Sequence, residues 1–394
     1  MHTKEIISSL KKPHEPLEIQ FSMNKEPTVV MITGGNGFLA SNLIKDLEQL
    51  DEVKVIYALV RNATKYTNSG KIEYVDYAGV SSFYANELDE KLKKVTCFIH
   101  CAAEVNNFKK FEAMYSTNVE FTFAILQKIQ AMKLNLAFHY VSTLSVFASS
   151  NMNIEQYELP PEQRNTSFVK DIVPISSNYS LFGGYAQTKW ASEYLLSKTN
   201  ANIFRLGLVT PSLDQPYFNP EEFITRFLYL IIKYPFTPFK NEVDCKRFTE
   251  GTSVDLSPVN FVSKTMSQVI SRKYRFLSDE NEDFTHIANH KSASLWNIIN
   301  RFNDVMPNKI QHIGKEKWED KIKELKSMDT TLLRFAFFRE ELLKTSEVKF
   351  NCDLFQTSLF NWGYKNKAVD MPSGTDIIEV YLKAMIALRN KPNE

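Results

Sequence analysis

Two features of the sequence predict an α/β fold with helices on both faces of a parallel sheet. A glycine turn near residue 34 joins a β-branched strand to an amphipathic helix, and further short apolar strands alternate with helical segments as far as residue 209. The first strand, 28–33 (TVVMIT), runs into Gly34-Gly35-Asn36-Gly37. Phe38, Leu39, Leu43, Ile44, Leu47 and Leu50 then recur at helical spacing. Residues 53–60 (VKVIYALV), 95–102 (VTCFIHCA) and 137–142 (AFHYVS) read as strands, Tyr74-Val75 as part of another, and 114–132 as a helix. A Pro-containing loop at 159–174 precedes a helix at 185–197 and a strand at 201–209 (ANIFRLGLV). Residues 254–261 (VDLSPVNF) and 284–288 (FTHIA) read as strands returning to the same sheet, with helical segments from 294 onward.

Composition excludes several functions. The 394 residues are 43% hydrophobic and 24% charged, which is enough apolar material for a large core. With 47 Lys and Arg against 46 Asp and Glu, the formal charge is +1, so no net field draws the chain to nucleic acid or an anionic membrane. Four cysteines (Cys97, Cys101, Cys245 and Cys352) are too few for a disulfide scaffold and read as buried thiols in a reducing compartment. Residues 1–28 hold no apolar run of signal-peptide length, and runs such as 227–232 (FLYLII) fall far below the roughly 18 residues that span a bilayer. A cytoplasmic protein without a transmembrane helix is expected. The chain carries no GxSxG, P-loop or HExxH pattern.

The segment from Thr33 through Gly34, Asn36, Gly37, Phe38 and Leu39 to Ala40 sits between strand and helix. There, bare glycines let backbone approach a pyrophosphate and the helix start offers free N–H groups. Ala40 stands where a third glycine often lies, a position that serves packing and tolerates a small side chain. The second strand ends Leu59-Val60-Arg61, without the carboxylate that would hold a ribose 2′-hydroxyl, so Arg61 favours a 2′-phosphate and hence NADPH, with Lys65 assisting. Asp76, after Tyr74-Val75, is a candidate for the adenine amino group or for a turn. No glycine fingerprint recurs after Pro211, where Phe, Tyr, Pro and Lys become frequent. The predicted organisation is an N-terminal extension (1–27), a Rossmann-type NADP-binding domain (28–215, with returning segments about 254–290) and a smaller, mostly helical C-terminal substrate domain (216–253 and 291–394).

Tyr185 and Lys189 lie four apart in the helix at 185–197, which sets phenol and ammonium one turn apart on one face. A neighbouring ammonium is expected to draw the phenol pKa down towards working pH, so that it can give a proton to a carbonyl oxygen as hydride arrives. Thr143 ends the strand at the same carboxyl edge, where its hydroxyl can bond the reacting oxygen; Ser142 and Ser145 read as structural hydroxyls.

With these blocks in order, the chain resembles the extended short-chain dehydrogenase/reductases and, among them, the thioester reductase domains that terminate nonribosomal peptide and polyketide assembly lines. The resemblance rests on 33–39, the strand ending at Arg61, His100-Cys101-Ala102-Ala103-Glu104-Val105-Asn106, Asn118-Val119, Val141-Ser142-Thr143, Tyr185 with Lys189, the 254–261 segment and His286-Ile287-Ala288-Asn289. Together these span about 28–300, departing from the family pattern at Ala40 and at Asn260, where an aspartate is usual. It implies Thr143, Tyr185 and Lys189 as the catalytic triad, Lys189 also bridging the nicotinamide ribose hydroxyls. Gly34, Gly37, Phe38 and Leu39 would hold the pyrophosphate and Arg61 the 2′-phosphate. Cys101, Ala102 and Ala103 would pass beside the cofactor, and Asn118 would support the segment that carries them.

The activity so implied is NADPH-dependent reduction of a carrier-protein- or coenzyme A-bound acyl thioester to an aldehyde, with a second hydride giving the alcohol. An acyl carrier protein is then the expected partner, and the chain a free-standing reductase or an excised terminal domain. An alcohol-forming fatty acyl-CoA reductase differs only in substrate. The competing readings are a nucleotide-sugar epimerase or dehydratase, disfavoured by Arg61, and a dinucleotide-sensing protein, disfavoured by the intact Thr143, Tyr185 and Lys189. His286 and His290 read as structural rather than metal ligands, because i and i+4 lie about 13 Å apart along a strand. Tyr229, Ile231, Ile232, Tyr234, Phe236 and Phe239 are read as core in preference to an acyl channel.

Overall fold

The computed structural model describes residues 1–106, 109–147, 180–181, 183–214, 228–229, 232–250, 253–271, 284–289, 291, 293–306, 308–326 and 371–389. The loop expected at 159–174, Ile231, His290 and Cys352 lie outside the described residues. The chain divides into two compact units, Met1–Leu206 with Val262–Ile287, and Gly207–Phe261 with Ala288–Glu394.

The first unit is built on seven parallel strands: β1 (Val29–Thr33), β2 (Val55–Val60), β3 (Ile72–Asp76), β4 (Cys97–His100), β5 (Ala137–Thr143), β6 (Asn202–Leu206) and β7 (Phe284–Ile287). Their order is β7-β6-β5-β4-β1-β2-β3. The chain moves outward from β1 to β3 and then crosses to β4 on the other side of β1. The reversal opens a crevice at the carboxyl ends of β1 and β4, the usual ligand position of a doubly wound sheet. Every residue of β4, β5 and β6 is buried, as a sheet covered on both faces requires.

Helix α1 (Thr3–Ser8) lies in the N-terminal segment and buries Ile6 completely. α2 (Phe38–Glu48) buries Ala40, Leu43, Ile44 and Leu47, so the alanine at the glycine-like position sits in the packed face. The helix expected over 114–132 is an unbroken helical run in three parts, a short helix (Phe111–Tyr115), a π-helical turn (Ser116–Glu120) and α3 (Phe121–Ala131). The wide turn places Asn118 in the interior, where it is 1% exposed. α4 (Gly184–Leu195) carries Tyr185 and Lys189. The N-terminal segment brackets this helix. His2 bridges Ser180 and the Leu181 N–H donates to Met1 O (3.0 Å) just before it, while the Asn200 amide holds both Phe21 N (2.7 Å) and Phe21 O (3.0 Å) just after it.

One expectation fails on the sheet. Residues 254–261 do not return to it; Ser257–Pro258 pairs with Val209–Thr210 and Ser253–Val254 with Ala293–Ser294, each a separate two-residue ladder. Pro258 lacks the N–H a central strand needs, and α5 (Val259–Ser271) begins directly after it. The strand expected over 201–209 likewise ends at Leu206. Gly207 follows because the Asp255 carboxylate lies against its Cα: a Cβ there would fall 1.6 Å from Asp255 Oδ2.

The second unit has its own core, in which Ile298, Ile299 and Phe302 of α6 (Leu295–Val305) pack with Ile377, Tyr381 and Leu382 of α7 (Gly374–Arg389). Ile232 and Phe239 belong to this core, whereas Tyr229 is exposed. No helix among the described residues is long and apolar enough to cross a membrane.

Candidate active site

At the carboxyl end of β1 the chain turns on bare backbone. Gly34 has φ +70°, Gly35 N–H donates to Leu59 O (3.0 Å) and Gly37 N–H to Gly34 O (2.7 Å). A Cβ on Gly34 would lie 3.0 Å from Ala102 Cα, and one on Gly35 would lie 2.8 Å from Ala58 Cβ. The turn is therefore pressed against both β2 and the segment leaving β4, and only glycine allows that approach. α2 starts from Gly37 with no side-chain cap and no acidic residue in its first turn. Its leading N–H groups lack intrahelical acceptors and form the positive end of the helix dipole. With Asn36 and Gly37 exposed and Phe38 and Leu39 half-buried, this cradle fits a dinucleotide pyrophosphate.

Thr33 is turned into the interior. Its side chain is fully buried, and its hydroxyl accepts from Cys101 N–H (3.1 Å) and Ala102 N–H (3.0 Å) while contacting His100 Nδ1 (2.8 Å). With two donors already accepted, Thr33 gives its own proton to Nδ1. His100 therefore carries its proton on Nε2, donated to Thr122 Oγ1 (3.2 Å), and Thr122 in turn donates to Asn118 O (2.7 Å). Burial, reinforced by Lys189, holds His100 well below the ordinary histidine range, so it is neutral. Thr33 thus ties β1 to the Cys101-Ala102-Ala103 segment. Asn118 completes the support: Oδ1 accepts Glu104 N–H (2.7 Å), and Nδ2 donates to Glu104 O (3.0 Å) and Thr188 Oγ1 (3.0 Å).

Arg61 stands exposed at the tip of β2, with Lys65 exposed in the turn that follows. Its guanidinium acts on the buried Tyr77 phenol, which burial pushes upward in pKa and Arg61 pulls back. Tyr77 was not singled out from the sequence; a lone tyrosine after a strand carries no signal there. Asp76 uses Oδ1 to accept Ala63 N–H (2.6 Å), so its carboxylate closes the 61–65 turn beside Arg61.

At the other side of the crevice, Lys189 is 2% exposed; its ammonium donates to Val141 O and lies 4.3 Å from the Tyr140 ring centroid. Tyr185 is half-buried, and its backbone carbonyl accepts the Thr188 hydroxyl (2.9 Å). Its pKa runs opposite to the sequence expectation. Burial raises the phenol and outweighs the lowering by Lys189, so the neutral, proton-carrying form is the one present near neutral pH. Burial also lowers Lys189, opposed by Tyr185, Cys101 and Glu193. The Cys101 thiol, pushed up to about 12 by burial, stays protonated. Thr143 ends β5 with its hydroxyl paired to Ser145 Oγ (3.1 Å) and accepting Ser145 N–H (3.1 Å), a local turn at the sheet edge. Ser142, expected to be structural, donates to Glu193 Oε1 (2.5 Å), and Glu193 pairs with Arg205. Neither charged residue was singled out from the sequence; an arginine inside the apolar strand NIFRL is the one signal that could have found the pair. The described residues contain no group of His, Cys, Asp or Glu that could hold a metal ion.

A glycine cradle at the switch point of a doubly wound sheet, facing a Tyr-x-x-x-Lys helix, defines a nicotinamide dinucleotide-dependent oxidoreductase of the extended short-chain dehydrogenase/reductase class. The model of the NAD-binding family described as "Male sterility protein" matches residues 32–92 and 79–266, and the chain belongs to that family. Among curated proteins it is 26% identical over 216 residues to the "Hybrid PKS-NRPS synthetase thnA" of Trichoderma harzianum, covering 50% of this chain and 5% of that protein. It is also 26% identical over 267 residues to the "L-2-aminoadipate reductase large subunit" of Eremothecium gossypii, covering 60% of this chain and 18% of that one. The chain thus matches a small fraction of these relatives' length. Its fold is that of the crystal structure of the terminal R domain from the myxalamid PKS-NRPS biosynthetic pathway, with TM-score 0.67, 19% identity and 98% of each chain covered.

Proposed function

We propose that the chain uses NADPH to reduce an acyl thioester, carried on an acyl carrier protein or coenzyme A, to the aldehyde and, with a second hydride, to the alcohol. The observation that carries this reading is the placement of the neutral Tyr185 phenol beside Lys189, across the crevice from the glycine cradle. Relatives named as hybrid synthetases and as an aminoadipate reductase, and a fold coextensive with a terminal reductase domain, support the thioester substrate. Arg61, exposed where a ribose-binding carboxylate is absent, supports NADPH over NADH.

Gly34 to Leu39 would hold the pyrophosphate of NADPH and Arg61 its 2′-phosphate, and the cofactor so held would supply the hydride that reduces the thioester carbonyl carbon. Tyr185 donates its phenolic proton to the carbonyl oxygen as charge develops there. Lys189, whose ammonium donates to Val141 O, stabilises the tyrosinate that remains and would hold the nicotinamide ribose. Thr143 would offer a second hydroxyl to the same oxygen by turning its proton away from Ser145 Oγ. The resulting thiohemiacetal loses the thiol to leave the aldehyde. Substrate binding falls to residues 216–253 and 291–394, which lie within the second unit. A cytoplasmic setting accords with Cys97, Cys101 and Cys245 being free thiols.

The test is loss of NADPH absorbance on incubation with acyl-coenzyme A and acyl-pantetheine thioesters, followed by extraction of products. Consumption with formation of aldehyde or alcohol is expected. Silence with every thioester, together with interconversion of a nucleotide sugar, would replace this reading with the epimerase; silence with both would leave a dinucleotide sensor.

A further inference from the structure

α4 is fixed to the sheet by two successive turns of one face. Lys189 is held at β5 by Val141 O and the Tyr140 ring. One turn further on, Glu193 accepts the Ser142 hydroxyl (2.5 Å) and a forked contact from Arg205, Nε at 3.1 and 3.2 Å and Nη2 at 2.6 Å. Ser142 on β5 and Arg205 on β6 are register partners, so the carboxylate is gripped from two adjacent strands at once. Both charged side chains are 0% exposed.

A pair this deep does not explain itself as a source of stability, because desolvation offsets the attraction and apolar replacements of such pairs are often neutral. It does penalise every other arrangement. If α4 turned by one residue, about 100°, or slid by about 1.5 Å, the carboxylate and guanidinium would part while still buried, each without a counter-charge. We propose that Glu193, gripped by Ser142 and Arg205, is a positioning residue that sets the rotation and axial position of α4 and thereby aims Tyr185 and Lys189, at four-residue spacing on the same face, at the carboxyl edge of β5. This rests on the reading of Tyr185 and Lys189 as the proton-transfer pair.

The test replaces the pair together, Glu193→Met with Arg205→Met, so that no buried charge is left alone. Three quantities are read: NADPH affinity, kcat and KM for a thioester, and the titration of Tyr185 by NMR of ring-labelled tyrosine, assigned by its loss in Tyr185→Phe. The expected result is a melting temperature near that of the wild type and NADPH affinity and KM within about threefold, but kcat reduced at least tenfold and a Tyr185 midpoint moved upward as the ammonium shifts away. A folded double variant with wild-type kcat and wild-type Tyr185 midpoint would overturn the proposal. Should the double variant not fold, Ser142→Ala decides, since it removes one hydroxyl from the grip. Lower kcat with a shifted midpoint supports the positioning role, and no change in either overturns it. The tyrosine titration needs no substrate, so a wild type inactive on thioesters would refute the proposed reaction while the aiming of Tyr185 by Glu193 is still decided.

Discussion

The two sides of the crevice are built by different means. The cofactor side is a matter of backbone: glycines let the β1–α2 turn lie against Ala58 and Ala102, and the ligands on offer are main-chain N–H groups at a helix start. The chemical side is a matter of buried polar side chains drawn from β4, β5, β6, the π turn and α4, among them His100, Asn118, Ser142 and Glu193 with partners distant in sequence. Backbone sites tolerate variation at every position except those where a side chain cannot fit, whereas a network fails wherever one member changes.

Four experiments sharpen that contrast, the largest effect first. Tyr185→Phe removes the proton donor alone, so turnover should fall by at least about 10²-fold with NADPH affinity nearly unchanged, measured by stopped-flow absorbance and fluorescence titration. Comparable activity would remove Tyr185 from the chemistry. Arg61→Ala should weaken NADPH by roughly 10- to 100-fold, the worth of a charge-assisted phosphate contact, and NADH by far less. Equal losses for the two cofactors would undo the 2′-phosphate assignment. Gly34→Ala forces φ +70° on a side chain that also meets Ala102, which should cost about 1–2 kcal/mol of stability by denaturant unfolding and weaken both cofactors alike. Wild-type affinity and stability in that variant would contradict the backbone account of the cofactor side.

The smallest effect concerns pH. His100 is neutral in the fold, with its pKa depressed by burial from 6.5, so the unfolded chain takes up a proton first as pH falls. The stabilising contribution is therefore complete above pH 6.5 and lost below it, by up to about 1.4 kcal/mol per pH unit. Asp255, raised by burial from 3.8 to about 6, acts in the opposite sense, gaining protons in the fold as pH drops. The His100 contribution is isolated by comparing wild type with His100→Asn. The wild-type advantage in unfolding free energy should shrink from pH 7 to pH 5, and an advantage constant over that range would contradict a neutral buried imidazole.

The same contrast explains what the sequence revealed. The strand, glycine turn and helix at 28–50 are local, so their spacing was enough, and the alternation of strands extended that reading to the parallel sheet. Tyr185 and Lys189 were visible because they share one helix turn. Glu193 with Arg205, and Thr33 with His100 and Thr122, were invisible as partnerships, because sheet order alone makes them neighbours. Residues 254–261 show the limit of apolar pattern: a run with Pro258 at its centre read as a strand and folds as a short ladder running into α5. The direction of the Tyr185 pKa could not be read from spacing either, since it depends on how deeply α4 is buried.

Incubation with NADPH deuterated at the transferable C4 position of the nicotinamide, followed by mass spectrometry of the product, tests hydride delivery to a thioester most directly. One deuterium at C1 of the aldehyde for each NADPH consumed is the result expected, and two at C1 of any alcohol. NADPH consumption without deuterium in the product, or a product whose former carbonyl carbon carries none, would contradict the account.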